Sequence, residues 1–427
     1  MTRSGVIRAR RTTAPPSTAS RDRQLCGKRG AVVLFSYYPA DPRPRRAAEA
    51  LVSEGMKVDL ICLREADTDP KRELVNGVDV RRVPLRLRRG GVFGYLFQYA
   101  SFLVIALGIL AARSLTRRYH LVHVHNMPDV LVLSALIPKL LGAKVILDLH
   151  DPMPELMMTI FRLDHESGAV RMLRRLEKWS IGWADLVLTA NLAFERLFVS
   201  RSCHPQKIRI VMNAPDEKIF GLRPADPEPM APRASGQPFV VMYHGSLLER
   251  NGVDLAVEAI TRVRQSVADV ELRIYGAPTP FLERVMASVR AHGLTDAVRV
   301  FGAKRLEEVV EAIKDCDVGL VPNRRSVFTE LNMPTRIFEY LAIGRPVIAP
   351  RAAGILDYFD EDSLIFFELG DPDDLARRIQ DTWADPGKAA AIARCGQEVY
   401  RTHAWRRERA VLVGAVDGLL SPRRSPR

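Results

Sequence analysis

Cysteine is scarce in this 427-residue chain: five in all, and none of Cys26, Cys62, Cys203, Cys316 and Cys395 stands in a CxxC pair. An odd number at wide spacing argues against a disulfide framework and a cysteine zinc site, and implies free thiols in a reducing compartment. Neither GxGxxG nor GxxxxGKS occurs. Their absence argues against a dinucleotide oxidoreductase and a P-loop NTPase, whose phosphate cradles need those glycines. The N-terminal stretch has no apolar run before Ala31 and does not read as a secretory signal, so a cytoplasmic location is expected.

Acid is also in deficit, with 50 Asp and Glu against 63 Lys and Arg and a formal charge of +13. The excess sits at the ends. Residues 1–30 carry eight basic side chains against Asp22, and the terminal SPRRSPR adds three, so the ends hold ten of the thirteen charges. No aromatic residue interleaves with them, as a single-strand binding surface requires, and no nucleic-acid partner is expected.

What is present is a globular composition, 47% hydrophobic and 26% charged, on a chain long enough for two cores. After a basic tail over residues 1–29, apolar runs of strand length (GAVVLFSYY, MKVDLIC, HLVHVHN, AKVILDLH, ADLVLTA, KIRIVMN) alternate with amphipathic stretches such as RPRRAAEALVSEG and GAVRMLRRLEKWSIGW. That order predicts a parallel sheet covered on both faces, over residues 30–220. GLRPADPEPMAPRASGQ, residues 221–237, reads as a linker. The alternation restarts over residues 238–400 with PFVVMYHG, ELRIYG, AVRVFG, DVGLVP and RPVIAP. The expected fold is α/β, two Rossmann-like domains facing across a cleft. A helix at 401–420 caps its own domain or returns to the first, and 421–427 is a second basic tail.

Val92 to Ala112 is apolar except for Gln98 and Ser101, with RLRR before it and RSLTRR after it. Its length suits a membrane span. Basic residues on both flanks give no orientation, and a span would split one sheet across the membrane. A helix packed on the first domain fits better, either as an ordinary core helix or touching an anionic inner leaflet through Arg86, Arg88 and Arg89.

Three groups of residues suggest chemistry. VVMYH runs into GSLLERNG and then a helix, and Gly245 after the strand lets the backbone approach a phosphate. Arg250 adds a charge-assisted contact to a diphosphate, or is simply a solvated side chain on a βα turn. In NMPTRIFEYLAIGRPVIAP, Pro334 suits the first helical position, leaving the amides of Thr335 and Arg336 as anion donors. Glu339, one turn further in, is placed to accept from two vicinal hydroxyls or to make a surface pair with Arg336. In the first domain, His125 and Asn126 end one strand and His150 and Asp151 end the next, so two histidines converge on one sheet edge. His123 shares the face of His125, but neither HVHN nor LHD has the spacing of a zinc site, and no metal is expected. Arg43, Arg45 and Arg46 attract an anionic acceptor or form a solvated helix start.

The ordered set VMNAPDEKIF, VMYHGSLLERNGVDLAVEAI, DVGLVPN and NMPTRIFEYLAIGRPVIAP resembles the retaining glycosyltransferases of the GT-B fold classed as family 4, over roughly residues 30–420. The resemblance implies a transferase moving a sugar from a nucleotide diphosphate sugar, which is a co-substrate, to a hydroxyl of a saccharide or lipid-linked acceptor, without metal or resident cofactor. It puts Gly245 and Arg250 at the donor diphosphate, Glu339 at the ribose, and residues 334–336 near the phosphates. Gly276 and Gly302 to Lys304 fall near the base, and His150 beside the reacting sugar. Two places depart from the common pattern. Leu331 stands where many members carry a Glu, and Ser246 and Asn251 stand where many carry Arg and Lys in the donor loop. A sugar-nucleotide epimerase of the same shape and a non-catalytic nucleotide-sugar binder are the alternatives.

Overall fold

The computed structural model describes residues 25–85, 92–224 and 237–421. In the first unit β1 (Arg29–Tyr37) leads to α1 (Pro42–Ser53), β2 (Lys57–Leu63), β3 (Arg72–Val75), β4 (Val78–Val83), α2 (Val92–Ser114) and β5 (Leu121–His125). A 3-10 turn at Asp129–Ala135 runs into α3 (Leu136–Leu140), then β6 (Lys144–Leu149), α4 (Met153–Phe161), α5 (Gly168–Trp183), β7 (Leu186–Thr189), α6 (Leu192–Arg201) and β8 (Ile208–Ile210). The sheet order is β3-β4-β2-β1-β5-β6-β7-β8, parallel except for the β3/β4 hairpin. Central strands such as β1 and β6 are buried on both faces, which is why their sequences read as nearly continuous apolar runs, β6 broken only by Asp148. The edge strand β3, Arg-Glu-Leu-Val, is largely exposed and has no such signal.

The second unit runs β9 (Phe239–His244), α7 (Val253–Val263), β10 (Val270–Tyr275), α8 (Pro280–Ala291), β11 (Val298–Gly302), α9 (Leu306–Lys314), β12 (Val318–Leu320), α10 (Val327–Leu331), α11 (Thr335–Ala342), β13 (Val347–Pro350), α12 (Ala353–Leu356), β14 (Ile365–Phe367), α13 (Pro372–Ala384), α14 (Pro386–Thr402) and α15 (Trp405–Leu420). Its sheet, β11-β10-β9-β12-β13-β14, is parallel throughout. In both sheets the strand order reverses beside the first strand, β1 and β9, and such switch points are where open α/β sheets bind ligands.

Two boundaries differ from expectation. Folded structure begins by Leu25, not Gly30: Leu25 is buried with β1 and α1, and its N–H donates to Glu54 O at 3.1 Å. The start of the expected linker lies along the second domain, where Arg223 N–H donates to Ala342 O at 2.8 Å; residues 225–236 fall outside those described. α15 crosses back to the first domain, burying Leu412 and Val416 against α1 and its sheet, with Arg409 paired to Glu54 at 2.6 Å.

The apolar segment forms α2, which buries Phe102, Ala106, Ile109 and Leu110 in the first core. Fully burying such side chains is worth roughly 1.5–3 kcal/mol each for the larger ones. Its C-terminal end is tied to β2 through the buried Asp59, which receives Arg113 at 3.7 Å, Arg117 at 2.8 Å and the Tyr119 hydroxyl at 2.5 Å. The helix therefore packs on the sheet rather than leaving it. Arg86, Arg88 and Arg89 lie outside the described residues.

Candidate functional site

Adjacent strand ends of the second sheet form a floor. Gly245 N–H donates to Tyr275 O at 2.9 Å and Gly276 N–H to Gly302 O at 2.9 Å, lacing the ends of β9, β10 and β11 together. A Cβ on Gly276 would stand 2.4 Å from Gly245 O, so only glycine permits this approach. Gly252, at φ +69°, sits even closer to its neighbour: a Cβ there would lie 1.8 Å from Pro322 O. Between them, the Ser246 carbonyl accepts from the Tyr243 hydroxyl and from Asn251 Nδ2, both at 2.7 Å. Asn251 thus braces the loop, and its amide is committed there rather than to an anion. Arg250 is half-buried, its guanidinium 5.9 Å from the Phe328 ring centroid.

Pro334 is the N-cap of α11, not its first helical residue, and has no side-chain acceptor to cap the first turn. The amides of Thr335 and Arg336 open the helix, where its dipole is positive. Arg336 folds over the Tyr243 ring at 4.7 Å and borders Gly245, while its buried Nη1 has no protein partner. One turn on, Glu339 Oε2 lies 3.5 Å from His244 Nε2 at the end of β9. Burial pushes the Glu339 carboxyl up to about 7, against the pull of Arg336 and Arg46. Burial and Arg336 push His244 down to about 3, leaving it a neutral imidazole near neutral pH. A dehydrated carboxylate beside a neutral ring suits a ligand that brings its own hydrogen-bond donors.

On the first domain, the expected acceptor-side residues divide. Arg43 is corrected from an anion attractor to a structural cation. It is 7% exposed, with Nε and Nη2 on the Asp148 carboxylate (2.7–3.1 Å) and Nη1 on Val211 O (2.8 Å) and Asn213 Oδ1 (2.9 Å). Arg45 is paired with Asp216 at 3.1 Å. His125 is buried and stacked on His123 at 4.3 Å; burial and His123 hold it well below the usual imidazole range. Asn126 organises the loop, donating to Asp129 Oδ1 (3.0 Å) and Asp151 O (2.7 Å) and accepting from the His150 N–H (3.2 Å). His150 is half-buried, its Nδ1 without a protein partner. Burial raises Asp151, while His150 and, from the other domain, Arg250 oppose the rise.

His123, His125 and Asp148 bring three ligand atoms within 4.8 Å of one another, a geometry open to a metal. Arg43 already neutralises both oxygens of that carboxylate. Burial alone would raise Asp148, yet Arg43 and the two histidines hold it well below the carboxylate range. A second cation would have to share Asp148 with the guanidinium.

Cross-domain contacts close the arrangement: Arg162 to Glu249 at 2.9 Å, Arg196 to Asp357 at 2.7 Å, and Asn191 Nδ2 to Leu331 O at 3.1 Å. Two family models match this framework. Residues 40–214 match the glycosyl transferase 4-like domain, and residues 238–385 match glycosyl transferases group 1. The chain is a group 1 glycosyltransferase of the GT-B fold. It is similar to the amylovoran biosynthesis glycosyltransferase AmsK of Erwinia amylovora, 25% identical over 40% of this chain; that match spans only 40% of the relative's length. Its fold is similar to sucrose-phosphate synthase from Thermosynechococcus elongatus (TM-score 0.74, 19% identity, 92% of this chain and 99% of that one). It is also similar to HepE of Anabaena in complex with UDP-glucose (TM-score 0.65, 14% identity, 91% and 99%).

Three further side chains of the glycosyltransferase near the expected donor site have protein partners of their own. Lys304 is engaged at the surface with Glu308 at 3.5 Å. Leu331 packs with Phe328 into the first domain's core, while Glu330 turns to the Ala353 N–H at 3.3 Å. His244 was missed, although VVMYH ends a strand on histidine just as LVHVH does. The rule that drew attention to His125 and His150 would have found it.

Proposed function

We propose that this glycosyltransferase moves a sugar from a nucleoside diphosphate donor to a hydroxyl of a saccharide or lipid-linked acceptor, with retention of configuration and without a metal or resident cofactor. The observation that carries the proposal is Glu339, a half-buried carboxylate whose proton affinity is raised by desolvation, next to a guanidinium with an unpartnered nitrogen. Vicinal ribose hydroxyls would supply donors to it. The diphosphate would lie over the glycine floor, against Arg250, Arg336 and the first amides of α7 and α11. UDP-glucose bound to a protein of this fold supports a nucleotide-sugar donor, and the amylovoran relative supports an acceptor in polysaccharide assembly.

The chemistry asked of these residues is electrostatic. As the bond from the anomeric carbon to the diphosphate oxygen breaks, charge grows on the leaving group, and Arg250, Arg336 and fixed amide dipoles stabilise it without reorganising. The acceptor oxygen attacks from the same face, and its proton passes to the departing phosphate. No carboxylate is needed as a nucleophile; Glu339 serves the ribose, and Asp151 is raised by burial against the pull of its neighbours, Arg250 among them. His150, at the end of β6, would line the reacting sugar.

Nucleoside diphosphate release across a panel of sugar nucleotides, with and without a lipid extract or oligosaccharide acceptor, tests the proposal. Acceptor-dependent release is expected. Donor turnover that ignores every acceptor would favour an epimerase, and nucleotide binding without turnover would favour a non-catalytic binder.

A further inference from the structure

Three helices on one face of the first sheet present an outer surface that no described residue covers. α2, α3 and α5 pack around the 129–135 turn, on the face opposite α1 and α15. α2 shows two stripes. Phe102, Ala106, Ile109 and Leu110 point into the core, while Phe97 (73% exposed) and Val104 (68%) point out and lead to Leu115 (84%). The outward stripe runs about 27 Å at 1.5 Å per residue. A solvated helix face carries polar residues; from Val92 to Ala112 the sequence has no charge at all.

Beside it, α3 ends in exposed Leu140 and Leu141. Across the turn, α5 exposes Arg171, Arg175, Lys178 and Trp179, while Glu177, its one acid, is fully buried against Arg201 at 2.5 Å. Trp179 stacks on Trp183 at 6.0 Å, and Lys139 of α3 lies 5.8 Å from the Trp183 ring, which joins the two helices into one surface. Asp185 at this edge is neutralised by Lys139 at 2.7 Å and Lys144 at 3.8 Å. Asp164 and Glu166 precede α5 at its exposed start.

We propose that α2, α3 and α5 form a docking face for an anionic lipid bilayer. The apolar stripe enters the headgroup boundary, tryptophan suits that polarity gradient, and the cations of α5 meet lipid phosphates. Burial of Phe102, Ala106, Ile109 and Leu110 in the core and the hold of Arg113 and Arg117 on Asp59 argue against a span. A second copy fits less well, because a two-fold contact would bury Arg171, Arg175 and Lys178 with no acid on α5 to meet them. The proposal does not depend on which donor the site takes.

Sedimentation of the full chain with vesicles of phosphatidylcholine, alone or mixed with phosphatidylglycerol, tests it. Strong binding to the mixed vesicles is expected, weakening as salt is raised. Each cation near an anionic leaflet changes partitioning roughly five-fold, so Arg171→Ala, Arg175→Ala and Lys178→Ala together should cost about 100-fold. Phe97→Ser with Val104→Ser should reduce binding by at least about ten-fold. Nucleotide affinity and circular dichroism should not change in either variant, since these residues lie outside the donor site. Failure to bind mixed vesicles, or equal binding by the triple variant, would overturn the proposal. So would a concentration-dependent dimer that Val104→Glu abolishes, in a protein with no vesicle affinity.

Discussion

Replacing Glu339 should weaken nucleotide binding before it slows the chemical step. If the carboxylate accepts from two ribose hydroxyls, each charge-assisted bond contributes roughly 1.5–3 kcal/mol, so Glu339→Ala should cost on the order of 3 kcal/mol, or about 100-fold in Kd. The pH dependence is the sharper signature. The carboxyl is raised to about 7, so the free protein holds a proton in the window between the ordinary Glu value and 7. Ribose hydroxyls need the ionised form, and binding therefore releases that proton. Affinity should rise by about ten-fold from pH 6 to pH 8 and then flatten. His244, pushed down to about 3, does not titrate in that window. The stability sign runs the other way: the folded state binds the proton more tightly than the unfolded chain, so ligand-free stability falls as pH rises towards 7. Glu339→Gln should flatten both profiles. Isothermal titration of nucleoside diphosphate at several pH values gives the answer. A Glu339→Ala protein with intact nucleotide affinity and reduced turnover, or a wild-type affinity that ignores pH, would refute the placement of the ribose.

Arg336→Ala should lower kcat at saturating donor by about 100- to 1000-fold, the usual cost of losing one preorganised donor to a developing anion, as steady-state kinetics will show. Arg43→Ala should cost about 3–5 kcal/mol of stability, because it leaves Asp148 charged and buried; a large drop in Tm is the readout. Gly252→Ala should destabilise the fold by more than the roughly 1 kcal/mol that a tolerated Gly→Ala exchange gains, since its φ is positive and its Cβ collides with Pro322 O; a lowered denaturation midpoint is the readout.

Much of this architecture was legible because parallel strands buried on both faces are written as short, mostly apolar runs; β1, β9 and β12 are nearly continuous, while β5 and β6 are broken only by His123, His125 and Asp148 and the edge Lys144. β3 was not, because an exposed edge strand has no apolar run to read. The side chains divide by the range of what holds them. Gly245, Thr335, Arg336 and Glu339 are placed by local turn and helix geometry, which spacing encodes. Arg43 is placed by Asp148, 105 residues away on another element, and the same three letters Arg-Pro-Arg would suit a solvated helix start. Asn251 and Lys304 look like free polar groups in sequence and are committed to Ser246 O and Glu308 in the fold. The destination of α15 was equally hidden: an apolar stripe says that a helix packs, not against what.

The measurement that tests the central claim most directly is the anomeric configuration of the product, read by proton NMR after incubation with a matched donor and acceptor. The account predicts a glycoside with the donor's own anomeric configuration. An inverted product, or an epimerised donor with no glycoside, would contradict it.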